Sequence, residues 1–361
     1  MKTYRVDFKP VSPYFFGNEK TFPYHGQQIG QSLSNAYYIK SEYVPTQTTV
    51  LGVLRYLFLA HRKNDYVYTE REFAENANRV GAETFDISKK EVQDFGVIEQ
   101  ISSVFLYHGE KGILIPTPFD HNEKSFSSKY QPFANYAVAE TSDGEKLYTS
   151  DYDPKCGLTS SYMMLNTQEI IPSCDIFSDE DRIGIAIDKT ENAYFKKKYA
   201  MLKKDYSFSV YLTLSDETVL DTLQKSAGGS VSVFMGQGKS AFLVSFTEEA
   251  DTLQTKISAM LKRNLPVTGE ILYFMGDSVL SSSRALYEKT VFSVVKTKNY
   301  RAFGIAYQDS EKGKLGRFQK KETLYQLISA GSIVITSDTD GVLALFENPN
   351  AKKIGLNQII K

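Results

Sequence analysis

The sequence predicts an α+β fold made of two β-α-β-β-α-β units with long loop insertions, and three observations carry that prediction. Residues 206–274 run through strand-like and helix-like patterns in that order. The first half repeats the order in a looser, interrupted form. The chain holds 24 Tyr and 23 Phe but no Trp, a usage that favours strands and supplies flat rings for packing or for stacking on bases.

The second half justifies its elements most directly. Residues 206–214, Y-S-F-S-V-Y-L-T-L, are a strand by their aromatic and β-branched content. Ser215 caps a helix reaching about Ala227, which Gly228 and Gly229 end. Two strands, 230–234 and 241–246, flank M-G-Q-G-K, a hairpin turn whose glycines suit positive φ. A helix from about Glu248 to Leu261 carries Glu248, Glu249 and Asp251 where its dipole favours anions. After Pro266, residues 269–274 form the last strand. This is the split βαβ, or ferredoxin-like, order, shared by RNA-recognition motifs and by many other domains. Residues 239–246, K-S-A-F-L-V-S-F, only loosely echo the aromatic strand signature of such motifs.

The first half maps onto the same order. A strand covers Tyr4 to Pro10, a helix Thr48 to Arg62, and a hairpin joins 97–106 to 112–115. Residues 16–43 are too long for an ordinary connection and read as a functional loop. Residues 70–99 read as helical and acidic, and about 118–181 as polar surface insertion. The expected domains are 1–181 and 182–361, the second with a basic C-terminal extension.

Composition narrows the class further. At 361 residues there is ample material for two cores. With 42 basic against 43 acidic residues, any nucleic-acid surface must arise from local clustering. Cys156 and Cys174 alone, without C-x-x-C spacing, argue for a reducing compartment and against a structural zinc site. No uncharged apolar run of about 18 residues occurs, and the first residues lack an apolar signal core, so a soluble, cytoplasmic protein without membrane contact is expected. No cofactor is implied.

Residues 44–59, V-P-T-Q-T-T-V-L-G-V-L-R-Y-L-F-L, break the amphipathic rule. Thr48 or Thr49 can cap this nearly all-apolar helix, yet Thr48, Gly52 and Arg55 recur at i, i+4 and i+7 as a small, polar, cationic stripe. A guanidinium beside bare backbone suits a phosphate; the plainer reading is a tight helix-on-sheet contact with Arg55 in solvent. Basic residues cluster at Lys189, Lys196, Lys197, Lys198, Lys203 and Lys204, and again over 296–321 with Arg301, Lys312, Lys314, Arg317 and Lys320. Two such clusters flanking one unit suggest a phosphate-tracking groove.

Catalytic patterns are missing. His25, His61, His108 and His121 have no metal-ligand spacing, and no nucleophile elbow, P-loop or zinc-protease motif occurs. His25, in H-G-Q-Q-I-G, is the one candidate general base for RNA cleavage.

P-V-S-P-Y-F-F-G at 10–17, F-x-x-x-G behind it and the 44–59 helix resemble the repeat-associated CRISPR proteins, the RAMP superfamily. The chain is most similar to the third-subunit family of the type III-B Cmr effector complex, a group that caps the 5′ end of crRNA. The likeness continues through R-I-G-I-A-I-D-K-T-E-N-A-Y-F at 182–195, the hairpin at 236–239, A-G-S-I-V-I at 330–335 and I-G-L-N at 354–357.

The resemblance implies two ferredoxin-like domains and no catalysis. The chain would hold the 5′ repeat-derived tag of the crRNA and dock the large polymerase-like subunit and the first backbone RAMP subunit. Matching positions that would touch RNA are Thr48, Thr49, Gly52, Arg55, Arg182, Lys189, Gly236, Gly238, Lys239, Arg301, Gly331 and Ser332. Charge reversal at Arg55 and Arg182 is expected to weaken RNA retention without unfolding the chain. Gln237 and Lys239 stand where the family hairpin carries more glycine and an Arg, and Lys offers a point charge instead of a fork. V-P-T-Q-T-T replaces a more proline-rich entry to the helix. Alternatives are a RAMP endoribonuclease that processes CRISPR repeat RNA through His25, a protein–protein scaffold, and the corresponding type III-A subunit.

Overall fold

The computed structural model describes residues 1–17, 22–23, 37–60, 70–125, 127–142, 144–153, 155, 157–158, 160–187, 192–226, 229–301, 303–306, 317–320 and 323–361. It is a mixed α+β structure of mostly antiparallel sheets. The pattern of residues 206–274 is realised closely: strand Tyr206–Leu214, helix Thr218–Ser226, strands Ser230–Met235 and Ser240–Glu248, helix Leu253–Leu261 and strand Glu270–Phe274.

Pairing departs from that expectation. The first strand, β1 (Lys2–Pro10), lies between Tyr206–Leu214 and Ser240–Glu248, antiparallel to both. It is central to a nine-stranded sheet that runs from Ile170–Pro172 to the edge strand Ser230–Met235. Glu270–Phe274 joins a separate four-stranded sheet with Phe292–Val294, Ile333–Thr336 and Ile359–Ile360. The strands of 206–274 therefore do not close on themselves, and the division expected at 181/182 falls inside the strand Phe177–Ile187. Strand-forming patterns fix which segments extend, whereas the neighbour of each strand is decided by long-range burial.

Alternation along β1 shows that burial. Tyr4, Val6 and Phe8 point into one core, while Arg5 and Asp7 on the opposite face form an ion pair at 3.1 Å. The first face is covered by α1 (Gln47–Ala60) and by helix Thr218–Ser226. Within α1, Val50, Leu51, Val53, Leu54, Leu57 and Phe58 are buried, each contributing about 2 kcal/mol. The second face packs Phe105 and Tyr211 against Leu253, Ile257 and Leu261 and against the four-stranded sheet.

Two further expectations are corrected. The helix expected over 70–99 is α2 (Glu70–Val80), which ends where Gly81 donates its N–H to the Ala77 carbonyl at 2.7 Å. Residues 118–181 are not merely surface loops: Ser161–Met164 and Ile170–Pro172 extend the large sheet, and Tyr130, Leu147, Met163 and Phe177 are core. Among the described residues no helix is long and apolar enough to cross a membrane.

Candidate nucleic-acid interface

Three segments far apart in sequence meet at one exposed surface. The hairpin between Ser230–Met235 and Ser240–Glu248 turns through Gly236, Gln237, Gly238 and Lys239, all exposed. Gly236, Gly238 and Lys239 have φ of +77°, +84° and +54°, so two glycines and one strained lysine make the turn. Its floor is the P-Y-F-F segment. Gln237 donates its N–H to the Phe15 carbonyl at 2.9 Å, and a Cβ on Gly236 would meet that oxygen at 2.6 Å. Only glycine lets the turn lie this close.

The third segment is a long antiparallel ribbon, Phe177–Ile187 against Asn192–Leu202. Tyr14 and Ala200 exchange backbone hydrogen bonds of 2.8 and 2.9 Å, which seats the ribbon beside the P-Y-F-F segment. Arg182 stands opposite Lys197, so both share a face with Tyr199, two residues on. The Arg182 guanidinium carbon lies 4.6 Å from the centre of the Tyr199 ring. Tyr199 meets Phe15 edge-on at 5.5 Å, and the Lys197 ammonium sits 5.6 Å from the Phe15 ring. The Tyr199 hydroxyl is 3.8 Å from where a Cβ of Gly238 would stand. Sequence-predicted Arg182, Gly236, Gly238 and Lys239 thus converge.

The opposite face of the ribbon is neutralised. Lys196 pairs with Asp181 at 2.8 Å, and Lys198 and Lys40 with Asp179 at 3.6 and 3.2 Å. The hydrogen bond from Lys196 holds the Asp181 carboxyl below its usual range. The run of lysines therefore does not form one continuous cationic track.

The α1 stripe is put to structural use. The helix is capped by Thr46, not by Thr48 or Thr49: the Thr46 hydroxyl accepts the Thr49 N–H at 3.3 Å. Thr49 and Thr48 also contact that hydroxyl through their own at 2.9 and 3.1 Å. Arg55 is committed to backbone: it donates to the carbonyls of Gly81 at 2.6 Å and Glu83 at 2.8 Å, and burial lowers its pKa. Gly52 is exposed, and a methyl group added at its Cα would meet nothing within 4 Å, so the tight-packing reading of it fails.

Gly331 and Ser332 are buried and take no part in this surface. Gly331, at φ +93°, accepts the Phe119 N–H at 2.8 Å and would place a Cβ 2.9 Å from the Phe119 ring. The Ser332 hydroxyl donates to the Ser329 carbonyl at 2.7 Å. Arg301 is half-buried at the end of strand Thr297–Tyr300. Lys189 and His25 lie outside the described residues, as do His61, Lys312 and Lys314.

Sequence reasoning missed Tyr199 and Glu180 as members of the surface and the buried Phe15 as its floor. The signal for Tyr199 was available: in K-K-K-Y-A-M a strand period of two puts Lys197 and Tyr199 on one face. Of the described histidines, His108 accepts the Glu110 N–H at 3.2 Å and His121 that of Gln131 at 3.1 Å, with burial lowering the His121 pKa. Among the described residues no group of three or more His, Cys, Asp or Glu is placed to hold a metal ion.

No curated protein sequence matches the chain. Among solved structures it is similar to a chain of the type III-B Cmr-beta complex bound to cognate target RNA, with 15% identity over 98% of this chain and 96% of that one and a TM-score of 0.49. It is similar to a chain of the Csm1–Csm4 cassette in complex with AMPPNP at 11% identity, covering 92% and 88% with a TM-score of 0.35. A chain of the Csm3–Csm4 subcomplex of the type III-A interference complex gives 11% identity, 92% and 92% coverage, and a TM-score of 0.36. The family described as CRISPR-associated protein (Cas_Cmr3) matches residues 7–303, which takes in the end of β1, the P-Y-F-F segment, α1, the ribbon and the glycine hairpin, and the chain belongs to that family.

Proposed function

We propose that the chain is a non-catalytic crRNA-binding subunit of a type III-B CRISPR effector complex. It holds the 5′ repeat-derived tag and docks the large polymerase-like subunit and the first backbone RAMP subunit. Family membership supports the setting. The observation that carries the RNA role is the convergence of Arg182, Tyr199 and Lys197 with the exposed turn Gly236–Lys239.

The physical logic is that of single-strand recognition. A glycine turn lets a phosphate approach backbone N–H groups, lysines neutralise it, and a flat side chain carries a splayed base.

The test is binding of the chain, with its large-subunit partner, to crRNA carrying or lacking the 5′ tag at two salt concentrations, with the RNA recovered and sized. Tag-dependent, salt-sensitive binding of intact RNA is expected. Specific cleavage would assign a processing nuclease instead, and equal binding of both RNAs would mean that the tag is not what the chain recognises.

A further inference from the structure

Arg182 has three distinct environments around one planar group. Its guanidinium carbon lies over the Tyr199 ring, 4.6 Å from the ring centre. Its Nε donates to the Glu180 carboxylate at 2.8 Å. The rest is open, the side chain being 49% exposed and Glu180 38%. Glu180 stands two residues before Arg182 on the same strand, so both rise from the same face.

We infer that Arg182 serves this surface as a platform on which an RNA base stacks, not as a phosphate ligand, with Glu180 as the positioning residue that fixes it; the inference rests on the RNA-binding role proposed above. The Glu180 carboxylate at Nε offsets part of the local positive charge and repels an approaching phosphate. A base has no such penalty. It needs a flat, weakly hydrated, immobilised plane, which a guanidinium held by a ring beneath and a hydrogen bond at its edge provides. Phosphate contact then falls to Lys239, exposed at the hairpin and without an ion-pair partner among the described residues, and to the neighbouring turn amides.

Lysine in place of arginine separates the two roles, because it keeps the charge and loses the plane. Binding of tagged RNA by the chain is measured for Arg182→Lys, Glu180→Ala and Glu180→Gln at several salt concentrations. Arg182→Lys should weaken binding about tenfold, in the range of losing one stacked base, with the salt dependence unchanged. Glu180→Ala should also weaken it, whereas Glu180→Gln, which still accepts from Nε, should keep the unmodified chain's affinity. The inference is overturned if Arg182→Lys binds as the unmodified chain does, or if Glu180→Ala tightens binding and steepens the salt dependence, as an unmasked phosphate ligand would. Absence of RNA binding by the unmodified chain overturns the underlying role as well, so the two failures are distinguishable.

Discussion

Arg55 of α1 donates to the Gly81 carbonyl at 2.6 Å, tying the helix to the segment where α2 has ended. With the second bond to Glu83 it satisfies two backbone carbonyls of the segment that follows α2. A residue that reads from sequence as a phosphate ligand thereby ties α1 to the segment that follows α2.

Arg55→Ala should therefore destabilise the chain by about 2 kcal/mol, the range of hydrogen bonds to a charged donor. Arg55→Glu should destabilise it further. Denaturant midpoints check both, and RNA affinity measured well below the midpoint should change little.

Gly52→Ala is expected to stabilise the chain by up to about 1 kcal/mol, because a methyl there meets nothing within 4 Å and glycine costs helix stability. Thermal unfolding gives the stability. If a partner or RNA backbone lies against this face of α1, the same variant assembles more weakly, which pull-down of the complex measures.

Gly331→Ala should destabilise by about 1–3 kcal/mol through the positive φ and the clash with Phe119. Limited proteolysis of the 117–119 segment should accelerate with it. Tag binding by the fraction that remains folded should be unaltered.

Asp151 gives a pH prediction. Burial alone would raise its carboxyl, but hydrogen bonds from Asn135 and the Ala134 N–H, at 2.7 to 3.0 Å, outweigh burial and hold it below the ordinary aspartate value of 3.8. A depressed folded pKa contributes stability that is present above the unfolded value and is lost as pH falls through the folded one. Asp151→Asn should cost about 1–2 kcal/mol at neutral pH, and its difference from the unmodified chain should shrink below pH 3.8, read by unfolding at several pH values.

The legible part of the fold was its local part. The strand Tyr206–Leu214 and the hairpin strands around Gly236–Lys239 follow from aromatic and β-branched runs punctuated by glycine. Insertion of β1 beside Tyr206–Leu214 was not legible, because any strand with one apolar face can pair with any other of matching burial. The end of α2 was legible in R-V-G-A but outweighed by the acidic pattern beyond it. In the site, the glycine turn and Arg182 were readable as residue types. Their meeting with Phe15 and Tyr199 depends on tertiary placement, as does the burial that withdraws Gly331 and Ser332.

Whether this surface carries the tag is decided by ultraviolet cross-linking of tagged crRNA to the assembled complex, with the linked peptides of this chain identified by mass spectrometry. Links from tag nucleotides to peptides containing Arg182, Tyr199 and the 236–239 turn are expected. Tag links confined to other surfaces of the chain, or to other subunits alone, would contradict the proposed role.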